Sequence, residues 1–306
     1  MKIELKFMVK LKNLFSLTAI KWKMKQQYSI FRCFLGGGFY IYELDKNTKF
    51  VSYSKDALSH VFYVCNGHEK IELNWCEQWL KFKNENQVVI DCGANIGYFS
   101  AILSQRCSNI KILAIEGNDS TVKICQQTFN LLNINTVKIV PAVLSDKSSE
   151  KYIIPNIPGR EAWQQARKVS SEPSDHDTTC YTTTLDELVD EFHINPSLVK
   201  IDCEGFETLI LKGANNLLST IRPAFMIECN DKALIQAETN RDELLNLLRK
   251  YNYKLFHLCS FTDFQPFGLE VDNDFPSTEF NLAAIPNDNE NLIKWNKSIE
   301  NILDQL

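Results

Sequence analysis

From Val88 onward, short β-branched runs are each followed by a stretch with helical spacing, and no other feature of the chain restricts its fold as strongly. Strands that alternate with helices close most readily into a mainly parallel sheet wrapped by helices. Val88 to Asp91 reads as the first strand, with a helix over about Gly97 to Arg106. Ile110 to Glu116 is the second, followed by a helix near Ser120 to Leu132, and Val137 to Leu144 is the third. Leu198 to Cys203 and Ala224 to Cys229 are the fourth and fifth. A helix over about Phe206 to Leu218 separates them, and another runs to about Tyr251. Tyr253 to Leu258 and Phe280 to Ile285 close the pattern, expected as an antiparallel pair.

Residues 145–180 break the rhythm. They are polar, carry Pro155, Pro158, Gly159 and Pro173, and show no long periodicity, so they read as an irregular insertion and a candidate lid. Regularity returns at Thr184, which stands at capping-box spacing from Glu187 ahead of Leu185, Leu188, Val189 and Phe192. The expected organisation is an N-terminal arm and lead-in (1–60), a main domain (61–290) and a C-terminal tail helix (291–306). Trp75 and Trp79, spaced i, i+4, should pack a helix on the core, and His193 reads as a helix-end residue ahead of Pro196.

At 306 residues the chain can bury a full core. A net charge of -5 argues against a general nucleic-acid binder. No apolar run reaches the roughly 20 residues needed to cross a bilayer. The first 25 residues hold seven lysines and one glutamate, which suits a solvated arm or, as the sharper alternative, a basic segment resting on an anionic membrane. The ten cysteines include no C-x-x-C pair and read as small buried hydrophobes in a reducing compartment, which points to the cytoplasm.

The chemistry is expected beyond the carboxyl ends of the strands. Acids stand at or just past five of them: Asp91, Glu116, Asp146, Asp202 and Glu228. One acid ending a strand is commonplace as a cap or solvated loop residue, whereas five in order imply a shared rim. The turn Asp91-Cys92-Gly93-Ala94-Asn95-Ile96-Gly97 offers glycines for strained angles and close approach. A dinucleotide site would want a third glycine where Asn95 stands, and Asp91 would disfavour phosphate. A ligand bearing an ammonium and a sulfonium escapes both objections. Glu116 can accept from two ribose hydroxyls, and Asp146 from an adenine amino group. A nucleotide-dependent oxidoreductase or epimerase and a non-catalytic donor-binding scaffold remain as other classes.

The stretches VVIDCGANIGYFS (88–100), ILAIEGN (112–118), AVLSD (142–146), TTLDEL (183–188), VKIDCEGFETLILKGA (199–214) and RPAFMIE (222–228) together resemble the FkbM family of S-adenosylmethionine-dependent methyltransferases. The resemblance runs over about Gly67 to Ile285. It implies a Rossmann-like class I methyltransferase fold with a seven-stranded, mostly parallel sheet and helices on both faces. It also implies S-adenosylmethionine held by Asp91, Gly93, Ala94, Asn95, Gly97, Glu116 and the Asp146 region, and O-methylation of a sugar, glycan or natural-product-like acceptor. Nucleic acid is not an expected partner.

An alcohol acceptor must lose its proton during methyl transfer, so a nearby base helps. Asp202 is the first choice for that base or for an acceptor-orienting group, and Glu204 the second. Lys200 reads as buried-edge or surface filler, opposite Ile201 in the strand. A Mg²⁺ variant would draw on Asp202, Glu228 and Asn230, although no metal ligand is assigned. In the insertion, Arg160, Trp163, Arg167 and His176 could form an acceptor pocket or merely a surface loop.

Overall fold

Along a strand, successive side chains point to opposite faces, so the apolar pattern decides how layers stack. The computed structural model describes residues 2–81, 86–155, 166–168, 177–260, 267–271 and 275–294, with side chains from Ala19 onward. They form two compact units, one ending at His68 and one beginning at Glu69.

In the first unit, helix α1 (Lys2–Leu35) stops at three glycines, of which Gly37 and Gly38 have φ of 68° and 103°. Strands β1 (Phe39–Glu43) and β2 (Lys49–Tyr53) form an antiparallel hairpin. Helix α2 (Ala57–Cys65) is capped by Asp56, whose carboxylate accepts from the Leu58 and Ser59 N–H groups. Buried Ser29 and Ser52 both lie within hydrogen-bond reach of His60 Nδ1, at 2.9 and 3.2 Å, and tie α1 and the hairpin to α2. The residues expected as an arm and lead-in are thus helix and hairpin.

The second unit runs α3 (Lys70–Lys81), β3 (Gln87–Cys92), α4 (Tyr98–Arg106), β4 (Ile110–Glu116), α5 (Asp119–Leu131), β5 (Val137–Pro141), β6 (Val143–Leu144), β7 (Lys151–Ile154), β8 (Arg167–Lys168) and β9 (Thr178–Thr183). It continues with α6 (Leu185–Phe192), β10 (Pro196–Ile201), α7 (Glu207–Lys212), β11 (Ala224–Glu228), α8 (Asp231–Gln236), α9 (Arg241–Lys250), β12 (Tyr253–His257), β13 (Leu269–Glu270) and β14 (Asn281–Pro286). The large sheet has the order β13-β12-β14-β11-β10-β3-β4-β5. β3, β4, β5, β10 and β11 are parallel, and β14 lies antiparallel between β11 and β12. This is the Rossmann-like arrangement the resemblance implies. Among the described residues the sheet has eight strands rather than seven because the two-residue β13 adds to the edge of β12.

One face of the sheet carries Ile90, Leu113, Val199, Ile201, Phe225 and Ile227, clustered with buried residues of α6, α7 and α9. Alternation puts Val89, Asp91, Ile112, Leu198, Lys200 and Met226 on the other face, and these are buried too. There α3 and α4 pack, with Trp75 and Trp79 stacked 6.0 Å apart and the Trp79 indole N–H donating to the Ser197 carbonyl. Strand order reverses between β3 and β10, which places the crevice of an open sheet at their carboxyl ends.

Several boundaries differ from the sequence reading. The third strand stops at Pro141, after which the Ala142 N–H still donates to the Glu116 carbonyl at 3.1 Å and Val143–Leu144 pairs instead with β9 in a second sheet. That sheet, ordered β6-β9-β7-β8, gives part of the expected irregular insertion regular structure. The helix expected to Leu218 ends at Lys212, and Gly213 follows at a place where a Cβ would strike the Ser145 carbonyl and crowd the Thr184 side chain. The Asp186 carboxylate then accepts from the Asn216 and Leu217 N–H groups and starts a separate π-helical turn, Leu217–Ile221. The following helix is two, since Asn240 caps α9 afresh by accepting from the Glu243 N–H. No disulfide joins the ten cysteines, all of them among the described residues, but Cys65 and Cys259 are exposed rather than buried.

Candidate active site

The turn after β3 depends on backbone angles that favour glycine. Gly93, Asn95 and Gly97 have φ of 78°, 51° and 83°. Gly93 also abuts the end of β10, so that a Cβ there would strike the Asp202 carbonyl. The Gly93 and Ala94 N–H groups both donate to the Ile115 carbonyl, at 3.0 and 2.9 Å, and lash the turn to β4.

Glu116 completes that link. Its Oε2 accepts from the Asn95 N–H at 3.0 Å and its Oε1 from the Asn118 N–H at 2.8 Å. Burial raises its pKa, and these N–H donors oppose the rise. An ionised carboxylate has about four acceptor sites, so capacity remains for a ligand's hydroxyls.

Asp91 is fully buried, which differs from an acid fronting an open rim. Ser100 Oγ donates to its Oδ2 at 2.6 Å, and Lys200 Nζ lies 3.4 Å from its Oδ1. Strand register creates the pair, because Asp91 and Lys200 are direct neighbours on β3 and β10. Lys200 is therefore no surface filler: at 2% exposure it also meets Asp202 Oδ2 at 3.1 Å and lies 5.4 Å from the Phe99 ring centroid. Burial alone would lower its pKa, but Asp202, Asp91 and Glu69 outweigh that and hold it well above the usual lysine value.

Around this ammonium stands an excess of carboxylates. Asp202 keeps 27% of its side chain exposed, so it alone of the Asp91–Lys200–Asp202 chain opens to solvent. Glu204 follows with φ of 51°, its pKa pushed up to about 7 by burial and then by Asp202 and Glu207. Glu207 accepts from the Cys203 and Gly205 N–H groups through Oε1, at 2.9 and 3.1 Å, and burial lifts it to about 7. Glu228, ending β11, is pushed up to about 9 by burial, with Asp202 the next cause. Buried Oε2 atoms of Glu207 and Glu228 have no hydrogen-bond partner. Glu69, ahead of α3, reaches about 8, again chiefly through burial. The sequence reading missed Glu69 and Lys200. A lone lysine inside an apolar strand was the available signal for the latter.

Other sequence candidates stand apart. Asp146 follows β6 rather than a strand of the large sheet, accepts from Ser145 Oγ at 3.2 Å, and couples electrostatically to Tyr152 and Lys168. The Asn230 side chain caps α8 by accepting from the Lys232 N–H. Among the described residues no group of three or more His, Cys, Asp or Glu could hold a metal ion. Exposed Arg167 sits on β8, with Asp177 at 4.0 Å, while Arg160, Trp163 and His176 lie outside the described residues. His193 ends α6 with φ of 50°.

Comparison with known proteins adds an independent line. The methyltransferase FkbM domain matches residues 91–255, more than half of the chain. The hexuronic acid methyltransferase AglP of Haloferax volcanii is 32% identical over 146 residues, 46% of this chain and 56% of that protein. The chain thus spans little more than half the length of this curated relative. A crystal structure of methyltransferase FkbM from Methylobacillus flagellatus KT is 15% identical, covering 74% of this chain and 52% of that one with a TM-score of 0.41. Precorrin-6y C5,15-methyltransferase from Geobacter metallireducens GS-15 is 12% identical, covering 72% and 91%, with a TM-score of 0.39.

Proposed function

The chain belongs to the FkbM methyltransferase family, and on that premise we propose that it moves a methyl group from S-adenosylmethionine to a hydroxyl of a sugar, with a hexuronic acid the favoured acceptor class. One observation carries the donor reading: carboxylates outnumber the single buried ammonium at the switch point of the sheet, and Glu207 and Glu228 there hold unpartnered oxygens. A sulfonium and an ammonium would draw these raised acids into their ionised forms, whereas a pyrophosphate would hold them neutral and gain no attraction, which disfavours the oxidoreductase reading. Ten cysteines without a disulfide fit a reducing compartment such as the cytoplasm.

The Gly93–Gly97 turn would hold the donor's amino-acid end against the backbone, and Glu116 would accept from its ribose hydroxyls. Asp146 is a weaker candidate for the adenine. Bound S-adenosylmethionine supplies an electrophilic methyl group on a positively charged sulfur. The chain's own task is to align an acceptor oxygen with that carbon and to exclude water. Asp202, oriented by Lys200, and Glu204, whose pKa of about 7 suits proton uptake near neutrality, are the candidates for taking the acceptor's proton. The sugar preference rests on the relative described as a hexuronic acid methyltransferase.

The test is release of S-adenosylhomocysteine in the presence of hexuronates, neutral hexoses and phenols. Turnover with the hexuronates is expected, and Asp202→Asn should lower kcat by about 10²-fold while donor affinity stays within about threefold. Donor binding without product from any sugar would favour a scaffold role. Unchanged kcat in Asp202→Asn would remove that side chain from the chemistry.

A further inference from the structure

The charge of this chain is unevenly placed. Although the whole molecule is acidic, no Asp or Glu occurs between Glu4 and Glu43, whereas Lys6, Lys10, Lys12, Lys21, Lys23, Lys25 and Arg32 all fall there. Nearly all of that stretch is α1.

The carboxyl-terminal half of α1 has two apolar faces. Ser29 and Cys33 are buried, with Ile30 partly so, and this face packs on α2 and the hairpin. A second stripe is mostly open, although Tyr28 meets the Tyr63 ring of α2 at 6.5 Å. Ile20, Met24, Tyr28, Phe31 and Leu35 recur at helical spacing, and each is exposed by 46% or more. At 100° per residue, Lys21, Lys25 and Arg32 fall along one edge of this stripe, and all three are exposed. Arg32 lies over the Tyr40 ring at 4.9 Å, which keeps its charge beside the apolar row.

An apolar stripe bordered by cations matches a surface that is apolar below and anionic above. We propose that α1 lies flat on an anionic membrane surface, with Ile20, Met24, Phe31 and Leu35 entering the headgroup region and Lys21, Lys25 and Arg32 pairing with lipid phosphates or carboxylates. No helix among the described residues is long and apolar enough to cross a membrane, so the contact is an interfacial one. Charge complementarity selects this occupant over a second copy of the chain, since two such helices would bring like charges together. The inference is independent of the reaction catalysed.

Flotation of the full chain with vesicles decides it. Vesicles of phosphatidylcholine with about one third phosphatidylglycerol should bind the protein, pure phosphatidylcholine vesicles should bind it at least tenfold less, and added salt should weaken the binding. The triple variant Lys21→Glu, Lys25→Glu, Arg32→Glu and, separately, Ile20→Ser, Met24→Ser, Phe31→Ser should each lower the bound fraction at least tenfold. These side chains are exposed, and an unchanged thermal midpoint in either variant shows that its loss of binding is not unfolding. Equal binding to both vesicle types, no binding to either, or wild-type binding by both variants would overturn the proposal. So would a stable dimer that the serine variant dissociates, which would give the stripe to self-association.

Discussion

Lys200 has the most consequential side chain in the second unit, because it is a buried charge held by Asp91 of the neighbouring strand β3 and by Asp202 just past the end of its own strand β10. Removing one partner from such an arrangement leaves the others uncompensated, which typically costs about 3–5 kcal/mol. Lys200→Met is expected to lose stability on that scale in denaturant unfolding, and Asp91→Leu added to it should restore a good part. A single variant as stable as wild type would show that the buried pair carries no such weight. In the sequence, Asp91 and Asp202 are legible because each ends an apolar run. Lys200 is not: alternation reports which face a residue takes, while its partner depends on β3 lying beside β10, strands far apart in the chain.

Caps and breaks set the elements that carry the site. Asn118 starts α5 by accepting from the Ser120 and Thr121 N–H groups at 2.9 and 3.2 Å, while its own N–H serves Glu116. Asn118→Ala should therefore cost about 1 kcal/mol in thermal or denaturant unfolding. Donor affinity should be nearly unchanged, because the main-chain bond survives. A large drop in affinity with intact stability would give the Asn118 side chain a direct role at the ligand. Seven strands of the large sheet were readable from their apolar runs, whereas the two-residue β13 was not. The second sheet was not, because β6 and β8 are two residues each and draw their order from pairing with distant chain. Helix ends at Lys212 and Gln236 were equally hidden, since each is followed by a local break, the tight place at Gly213 and the fresh cap at Asn240, that no change in apolar periodicity announces.

At the scale of the whole molecule, the carboxylate-rich crevice links stability, pH and donor binding. Glu204 and Glu207 are pushed from an ordinary 4.5 up to about 7. The folded chain thus keeps protons that the unfolded chain releases above about 4.5, and stability from these groups falls as pH rises through that window. A bound cation favours the ionised forms, so donor binding near pH 6.5 should release protons, read as a dependence of calorimetric enthalpy on buffer ionisation. Proton uptake would contradict the charge logic of the crevice. The most direct measurement is calorimetric titration of S-adenosylmethionine into wild type and Glu116→Gln. The Asn95 and Asn118 N–H groups go to different oxygens of Glu116, a glutamine keeps only one of these acceptors and no charge, and a charge-assisted hydrogen bond is worth about 1.5–3 kcal/mol. The expected result is one site in wild type and at least about tenfold weaker binding in a variant whose circular dichroism is unchanged. Affinities equal within twofold would contradict a donor site built on this rim.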